Sequence, residues 1–292
     1  MPHPTSPHHA SLHVTILGCG SSGGVPRVGQ GWGACDPDEP RNRRRRCSIL
    51  VARRGPHGTT QVLVDTSPDL REQLLGADVR TLDAVLFTHA HADHTHGIDD
   101  LRPLAIEHRR RIDIHADDDT LRALRKRFGY CFETPPGSAY PPILNAHRFQ
   151  DGDEIVIEGP GGPIVALAFR QHHGDIDSFG FRFGGMAYSS DVNGIPAGSL
   201  ARLHGLDTWI VDALREAPHP SHFTVSDALD HIAVLRPRRA ILTDLHTDLD
   251  YATLKRRLPP TVEPAFDGLS FTVPTEAVGE AWQPAHKSPF TI

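Results

Sequence analysis

The chain has 292 residues, 38% of them hydrophobic, and a net charge of −6, enough for one large domain or two small ones. No apolar run approaches the roughly 18 residues that a membrane-spanning helix needs. The acidic balance argues against a protein built to hold long nucleic acid by charge. Cys19, Cys35, Cys47 and Cys131 show no C-x-x-C pairing, and Met1 to Ala10 is rich in Pro and His without the apolar core of an export signal. The expectation is a cytoplasmic protein with reduced thiols, in which residues 1–10 form a disordered leader whose histidines carry no weight as ligands.

Leu12-His13-Val14-Thr15-Ile16-Leu17 alternates apolar and polar and predicts a strand with one buried face. It runs into Gly18-Cys19-Gly20-Ser21-Ser22-Gly23-Gly24-Val25-Pro26, where glycine permits backbone shapes closed to other residues. This is either a plain turn or a loop whose N–H groups and serines, Ser21 and Ser22, face an anionic substrate. It lacks the lysine of a P-loop and the G-x-G-x-x-G order of a dinucleotide site. Arg41-Asn42-Arg43-Arg44-Arg45-Arg46 then leads into an apolar strand over 47–51. Most of such a run is a solvated face. Alternate side chains of a strand entry point opposite ways, however, which leaves an arginine, Arg45 being the candidate, to grip a phosphate through two donors. Residues 62–64 read as a buried strand ending in Asp65, and a helix is predicted over 68–75 with Pro68 in its first turn.

The densest chemistry comes next. Asp83-Ala84-Val85-Leu86-Phe87 is a short buried strand, followed by Thr88-His89-Ala90-His91-Ala92-Asp93-His94-Thr95-His96-Gly97. Helical spacing resumes beyond Gly97, with Ile98, Leu101, Leu104 and Ala105 on one side. In His89-x-His91 the strand alternation sends both rings to the same side, and Asp93 and His94 continue around the turn. Imidazole and carboxylate together suit Zn²⁺, Mn²⁺ or Fe better than Mg²⁺ or Ca²⁺. A buried strand followed by H-x-H-x-D-H resembles the signature of the metallo-β-lactamase fold superfamily, which holds a pair of metal ions. The resemblance implies that His89 and His91 serve the first ion and Asp93 and His94 the second. It also implies that Asp65 supports the turn by orienting a ligand histidine.

Further along, residues 112–116 read as a strand and 119–127 as an amphipathic helix. The aromatics of Phe128-Gly129-Tyr130-Cys131-Phe132 read as a satellite cluster under a proline-rich loop, with a flap over the site as the alternative. Short strands follow at 155–157, 164–169, 179–183 and 186–188, separated by turns such as Gly159-Pro160-Gly161-Gly162. Gln171-His172-His173-Gly174 comes after one strand and Tyr188-Ser189-Ser190-Asp191 ends another. The residues alone leave open which of His172 and His173 points inward. The resemblance implies His173 as the third ligand of the first ion and Asp191 as a carboxylate bridging both. A strand at 208–212 leads to Pro218-His219-Pro220-Ser221-His222, and a helix over 224–235 opens with a capping pair, Thr224 and Asp227. Members of the superfamily that cleave phosphodiesters carry a histidine just before this helix, which implies that His222 assists the leaving group. A last strand, 239–243, precedes Asp244-Leu245-His246. The superfamily has its final ligand histidine straight after this strand, where this chain has Asp244. His246, two residues on, keeps the same side and is the expected ligand, with Asp244 the alternative.

The expected fold class is α/β (α+β), a four-layer αββα sandwich of two packed mixed sheets flanked by helices. It forms one domain over residues 11–274, followed by a tail over 275–292. Within the superfamily, the glycine-serine loop and His222 are most similar to the phosphodiesterase branch, above all the cyclic phosphodiesterases of phosphonate breakdown, which open phosphoribosyl cyclic phosphate. Those enzymes carry a cysteine cluster for a structural zinc near the first loop. Here only Cys35 stands in the comparable loop, so no structural zinc is expected. The resemblance implies a hydrolase with two divalent transition-metal ions, Zn²⁺ or Mn²⁺, holding a hydroxide that attacks a small phosphodiester or cyclic phosphate, with Asp93 and His222 catalytic. A nuclease processing transfer-RNA 3′ ends shares the chemistry and is the alternative, as is a hydrolase of the same fold acting on another bond. No Gly- and Pro-rich or basic insertion is present to act as a tRNA arm, so nucleic acid is expected only as a short substrate. A homodimer is compatible with this reading.

Overall fold

The structure is a computed structural model and describes residues 11–275. The expected leader, and the tail beyond residue 275, lie outside the described residues. Six strands come from the first half of the chain: β1 (Ser11–Gly18), β2 (Ser48–Gly55), β3 (Gly58–Val64), β4 (Ala84–Leu86), β5 (Ile112–Ala116) and β6 (Leu144–Arg148). The second half supplies β7 (Glu154–Ile157), β8 (Ile164–His173), β9 (Ile176–Phe183), β10 (Met186–Ser189), β11 (Thr208–Asp212), β12 (Arg239–Thr243) and β13 (Val262–Pro264). A final strand, β14 (Ser270–Pro274), returns to pair with β1. Together they form two seven-stranded sheets, ordered β14-β1-β2-β3-β4-β5-β6 and β13-β12-β11-β10-β9-β8-β7.

Each sheet is antiparallel near its hairpins and parallel where helical crossovers intervene, along β3-β4-β5-β6 and along β10-β11-β12-β13. The parallel strands are covered on both faces, which is why β4 and β11 read as unbroken apolar runs whereas β1 alternates. Val14, Ile16, Ile49, Val51, Val62 and Val64 of the first sheet meet Phe181, Phe183, Met186, Tyr188, Ile210 and Ile241 of the second in one core. Burying each such side chain is worth about 1.5–3 kcal/mol. The outer face of the first sheet is covered by α1 (Leu70–Gly76), α3 (Arg102–Glu107) and α4 (Asp118–Phe132) through Leu70, Leu74, Ala105 and Leu124, while the one-turn α2 (Ala92–Thr95) buries His94 and Thr95. The second sheet is covered by α5 (Ala197–Ala201), α6 (Val225–Leu235) and α7 (Tyr251–Arg257) through Leu200, Val225, Ala228, Ile232 and Leu254. The result is the αββα sandwich.

Local chemistry sets the boundaries. Thr224 caps α6 through the expected box, its hydroxyl accepting from Asp227 N while the Asp227 carboxylate accepts from Thr224 N. A cap of this kind is worth about 1 kcal/mol. Two expectations change. The aromatics at 128–132 belong to α4, which continues past a kink at Phe128, and Cys131 and Phe132 are buried beneath it. Strand β8 runs on to His173, so Gln171, His172 and His173 lie in the strand and alternate across it.

Candidate metal centre

The parallel strands all end at one edge of the sandwich, and the chemistry collects there. After β3 the chain turns at Asp65; after β4 it enters the His89–His94 turn; β8 ends in His173, β10 leads to Asp191, β11 ends in Asp212 and β12 leads to Asp244. Asp65, Asp191 and Asp244 all adopt left-handed backbone conformations, with φ of 65°, 35° and 59°. Aspartate tolerates this region better than most residues, and such strain gathers at functional sites.

Asp191 is the hub. Its Oδ2 lies 3.8 Å from His89 Nε2 and 3.6 Å from His173 Nε2, while its Oδ1 lies 3.0 Å from His94 Nε2. His173 Nε2 also stands 3.2 Å from His91 Nδ1, and Asp93 Oδ2 is 3.4 Å from His94 Nε2. Candidate ligand atoms within 4.8 Å of one another therefore form one group of His89, His91, His173 and Asp191, and a second of Asp93, His94 and Asp191. His172, on the opposite face of β8, is exposed and pairs with Asp177. That leaves His173 as the inward ring.

The far nitrogens of these rings are occupied by the protein. His94 Nδ1 meets Asp65 Oδ2 at 2.7 Å, and Asp65 is itself fixed by Thr88 N and Thr88 Oγ1, both at 2.8 Å. His173 Nδ1 donates to the Ser221 carbonyl at 2.7 Å. Each contact leaves Nε2 facing the centre, the usual way a ligand imidazole is held. Burial, reinforced by neighbouring imidazoles, keeps His89 well below the usual histidine range, with His91 and His173 lowered as well. The neutral form is the one that binds metal. For His94 burial works in the same direction, but the carboxylates of Asp191, Asp93 and Asp65 outweigh it and raise the ring. His89 Nε2, His94 Nε2, Asp191 Oδ1 and Asp244 Oδ2 are buried without a hydrogen bond, and the 3.0 Å approach of His94 to Asp191 lacks hydrogen-bond alignment. Buried polar atoms are rarely left in this state. Cations held by the groups these residues belong to would give such atoms partners, so the residues fit divalent metal ions.

A third group, Asp191, His222 and Asp244, completes the centre. His222 Nδ1 lies 2.8 Å from Asp212 Oδ2 and 3.0 Å from Asp244 Oδ2, and its Nε2 lies 3.9 Å from Asp191 Oδ2. Asp212 also accepts from Val192 N, so one carboxylate positions both His222 and the turn that carries Asp191. Burial opposes charge on His222, yet Asp212 and Asp244 push it up to about 12. Burial and Asp191 push Asp244 up to about 8.

The structure places two of the expected site residues, His246 and Arg45, away from the cluster. His246 does not join the cluster: its Nε2 meets Arg27 Nη1 at 2.5 Å and its Nδ1 lies 3.2 Å from Asp248. The two-residue rule fails because Asp244 sits in the left-handed region and breaks the strand alternation, so Asp244 itself faces the centre. Arg45 does not face a substrate, since its N and Nε both donate to Asp267. Its neighbours are also committed, Arg44 buried against the carbonyls of His246 and Leu249, and Arg46 paired with Asp69. Ser21 and Ser22 line a small pocket beside the centre, together with Arg27, Arg215 and His219. The sequence reading did not single out Arg27, Arg215 or Asp212. A signal for Arg27 existed: it follows the glycine-rich loop by one residue, and a Cβ at Gly23 would come within 2.2 Å of its Nε.

On another face, His89 borders a larger cleft of about 960 Å³ whose walls carry Asp117, Asp118, Asp119, Asp151, Asp175 and Asp177.

Comparison with known proteins fits this description. The fold and its strand-end cluster are those of a metallo-β-lactamase fold hydrolase. A family model described as the beta-lactamase superfamily domain matches residues 60–244, and the chain belongs to that family. Among solved structures, the crystal structure of a new diphosphatase from the PhnP family is similar, at 33% identity and a TM-score of 0.80, covering 90% of this chain and 97% of that one. A protein of Porphyromonas gingivalis (strain ATCC BAA-308 / W83) named as an octanoyltransferase is 31% identical over 272 residues, 91% of this chain and 53% of that protein. A ribonuclease Z of Bradyrhizobium sp. (strain ORS 278) is 32% identical over 139 residues, 43% of this chain and 41% of the nuclease. The chain thus spans about half the length, or less, of these two curated relatives. Among the described residues no helix is long and apolar enough to cross a membrane.

Proposed function

We propose that the chain is a binuclear metal-dependent hydrolase that cleaves the phosphodiester of a small molecule, with a cyclic phosphate the foremost candidate. The observation that carries this reading is Asp191, which turns one carboxylate oxygen toward each of two ligand groups. In this proposal His89, His91 and His173 hold one ion, Asp93, His94 and Asp244 the other, and Asp191 serves both. Imidazole and carboxylate donors suit Zn²⁺ or Mn²⁺. Such ions supply Lewis-acid charge and activate water near neutral pH. The rest is the work of side chains. Asp65 and the Ser221 carbonyl hold the rings of His94 and His173 in register. Asp93 is the carboxylate placed to take the proton of the attacking water. His222, anchored at Nδ1, presents Nε2 to the departing oxygen as its proton donor.

The similarity to a PhnP-family diphosphatase supports phosphoryl chemistry. The ribonuclease Z match keeps a nucleolytic reading in view, but the net charge of −6 disfavours a long polyanion. The cleft beside His89 adds little to that, because Asp118, Asp119, Asp151 and Asp177 in its walls are paired with Arg148, Arg122, Arg202 and Arg170. Four free, buried cysteines fit the reducing conditions of a cytoplasm.

The test combines elemental analysis with turnover of bis(p-nitrophenyl) phosphate, cyclic phosphates and precursor tRNA. About two transition-metal ions per chain and a preference for small diesters are expected; at most one ion after reconstitution, or a preference for tRNA, sinks the reading. A second expected result separates the two candidates for the last ligand. Asp244→Asn should lower metal content by about one ion per chain, whereas His246→Ala should leave it intact. The reverse pattern would return the role to His246.

A further inference from the structure

The imidazoles of the centre are braced in different ways. His89 Nδ1 meets Thr88 Oγ1 at 3.0 Å, His94 Nδ1 meets Asp65, and His173 Nδ1 donates to the Ser221 carbonyl. His91 is the exception. Its Nδ1 faces His173 Nε2 across the centre, and the ring has no other hydrogen-bond partner among the described residues. The residue is also exposed, so packing does not fix the ring. His91 is held by its backbone instead. Its own carbonyl accepts from Thr95 Oγ1 at 2.8 Å and from His94 N at 3.2 Å. The carbonyl on its other side, Ala90 O, accepts from Arg127 Nη1.

Arg127 comes from α4, which Leu124 anchors in the core beneath it. Arg127 is exposed and forms no ion pair with a carboxylate among the described residues, so a surface salt bridge does not explain where it points. At the next residue, Phe128, α4 leaves helical geometry, with φ of −127° and ψ of 35°. The Phe128 ring then stands edge-on to His96, with centroids 5.4 Å apart. The helix therefore touches the histidine turn on both sides, at Ala90 before His91 and at His96 after His94.

We propose that Arg127 is a positioning residue for the ion that His89, His91 and His173 would hold. By fixing the peptide between Ala90 and His91, it does for His91 what Asp65 and the Ser221 carbonyl do for His94 and His173. The inference rests on the proposed metal centre. Groups that orient a ligand are worth about 10–100-fold in metal affinity, and an exposed one belongs at the lower end. The sign of the effect separates positioning from charge. Arg127 is a cation beside a cation site, so by Coulomb repulsion alone its removal would tighten metal binding. Positioning requires the opposite.

The test strips the full-length protein of metal and reloads it with Zn²⁺ in competition with a chromophoric chelator. Arg127→Met keeps the apolar stem and removes the donor. It should weaken one of about two ions roughly tenfold and leave the other unchanged. Arg127→Lys retains a donor and should recover part of the loss. In a His91→Ala background Arg127→Met should have no further effect, because its action passes through His91. Unchanged or tighter binding by Arg127→Met overturns the proposal, as does a tenfold loss that persists in the His91→Ala background. Thermal melting of the metal-free proteins, followed by circular dichroism, checks for a merely structural role. Arg127→Met should melt with the unsubstituted protein, and a lower midpoint would make Arg127 a residue of the fold rather than of the site. Absence of metal binding by the unsubstituted protein removes the centre itself. Two ions held equally by the unsubstituted protein and Arg127→Met remove only the role of Arg127.

Discussion

Asp191→Ala is expected to lose one or both metal ions and to lower turnover of bis(p-nitrophenyl) phosphate roughly 10³-fold or more. The expectation follows from position. Among the described residues Asp191 is the one shared by both ligand groups, with Oδ2 beside His89 and His173 and Oδ1 beside His94. Burial alone would raise this carboxyl, but His94 and the other imidazoles outweigh it and hold Asp191 well below the usual carboxylate range. It is an anion in a cluster of rings, and removing it leaves those rings without the charge that draws cations between them. Because Asp191 has φ of 35°, alanine adds backbone strain. Asp191→Asn therefore belongs in the same experiment: it tolerates the backbone and removes only the charge. Elemental analysis and kcat on both variants decide the matter, and retention of two ions by either would refute the bridging role.

His222→Ala is expected to retain both ions and to lose about 10²-fold or more on an alkyl cyclic phosphate, with a much smaller loss on a nitrophenyl diester. A ribose hydroxyl is a poor leaving group and needs a proton as its bond to phosphorus breaks, whereas nitrophenolate departs readily without one. The structure supplies the means, since Asp212 bonds Nδ1 and leaves Nε2 turned toward Asp191, 3.9 Å from its Oδ2. His222→Gln is the companion variant, because it keeps a hydrogen-bond donor without a transferable proton. Equal losses on both substrates would mean that His222 positions or stabilises charge. Loss of metal would make it a ligand.

The sequence revealed what is local. His89 and His91 lie one residue apart in the turn after β4 and reach the same cluster, and the chain carries Asp93 and His94 to the same region. Thr224 and Asp227 bond to each other's backbone within a single helical turn. What escaped depends on backbone strain or on distant partners. His246 was expected to face the centre because strand alternation was carried through Asp244, and a single left-handed residue cancels that rule. Arg45 was a reasonable phosphate binder by spacing, but its carboxylate partner, Asp267, lies 222 residues along the chain. Asp212 looked like an ordinary strand end. Its role emerges only when Val192, from an earlier turn, and His222, from a later one, close on the same carboxylate.

The donors of the centre also divide between the two sheets. His89, His91, Asp93 and His94 follow a strand of the first, whereas His173, Asp191 and Asp244 end strands of the second. A cation held among them would act as a rivet through the sandwich, because the native state alone offers a complete set of donors. Each tenfold excess of free metal over its dissociation constant then adds about 1.4 kcal/mol to the unfolding free energy per ion. For a domain with roughly 5–15 kcal/mol in hand, metal bound at this seam would be a sizeable share of what keeps the two sheets docked.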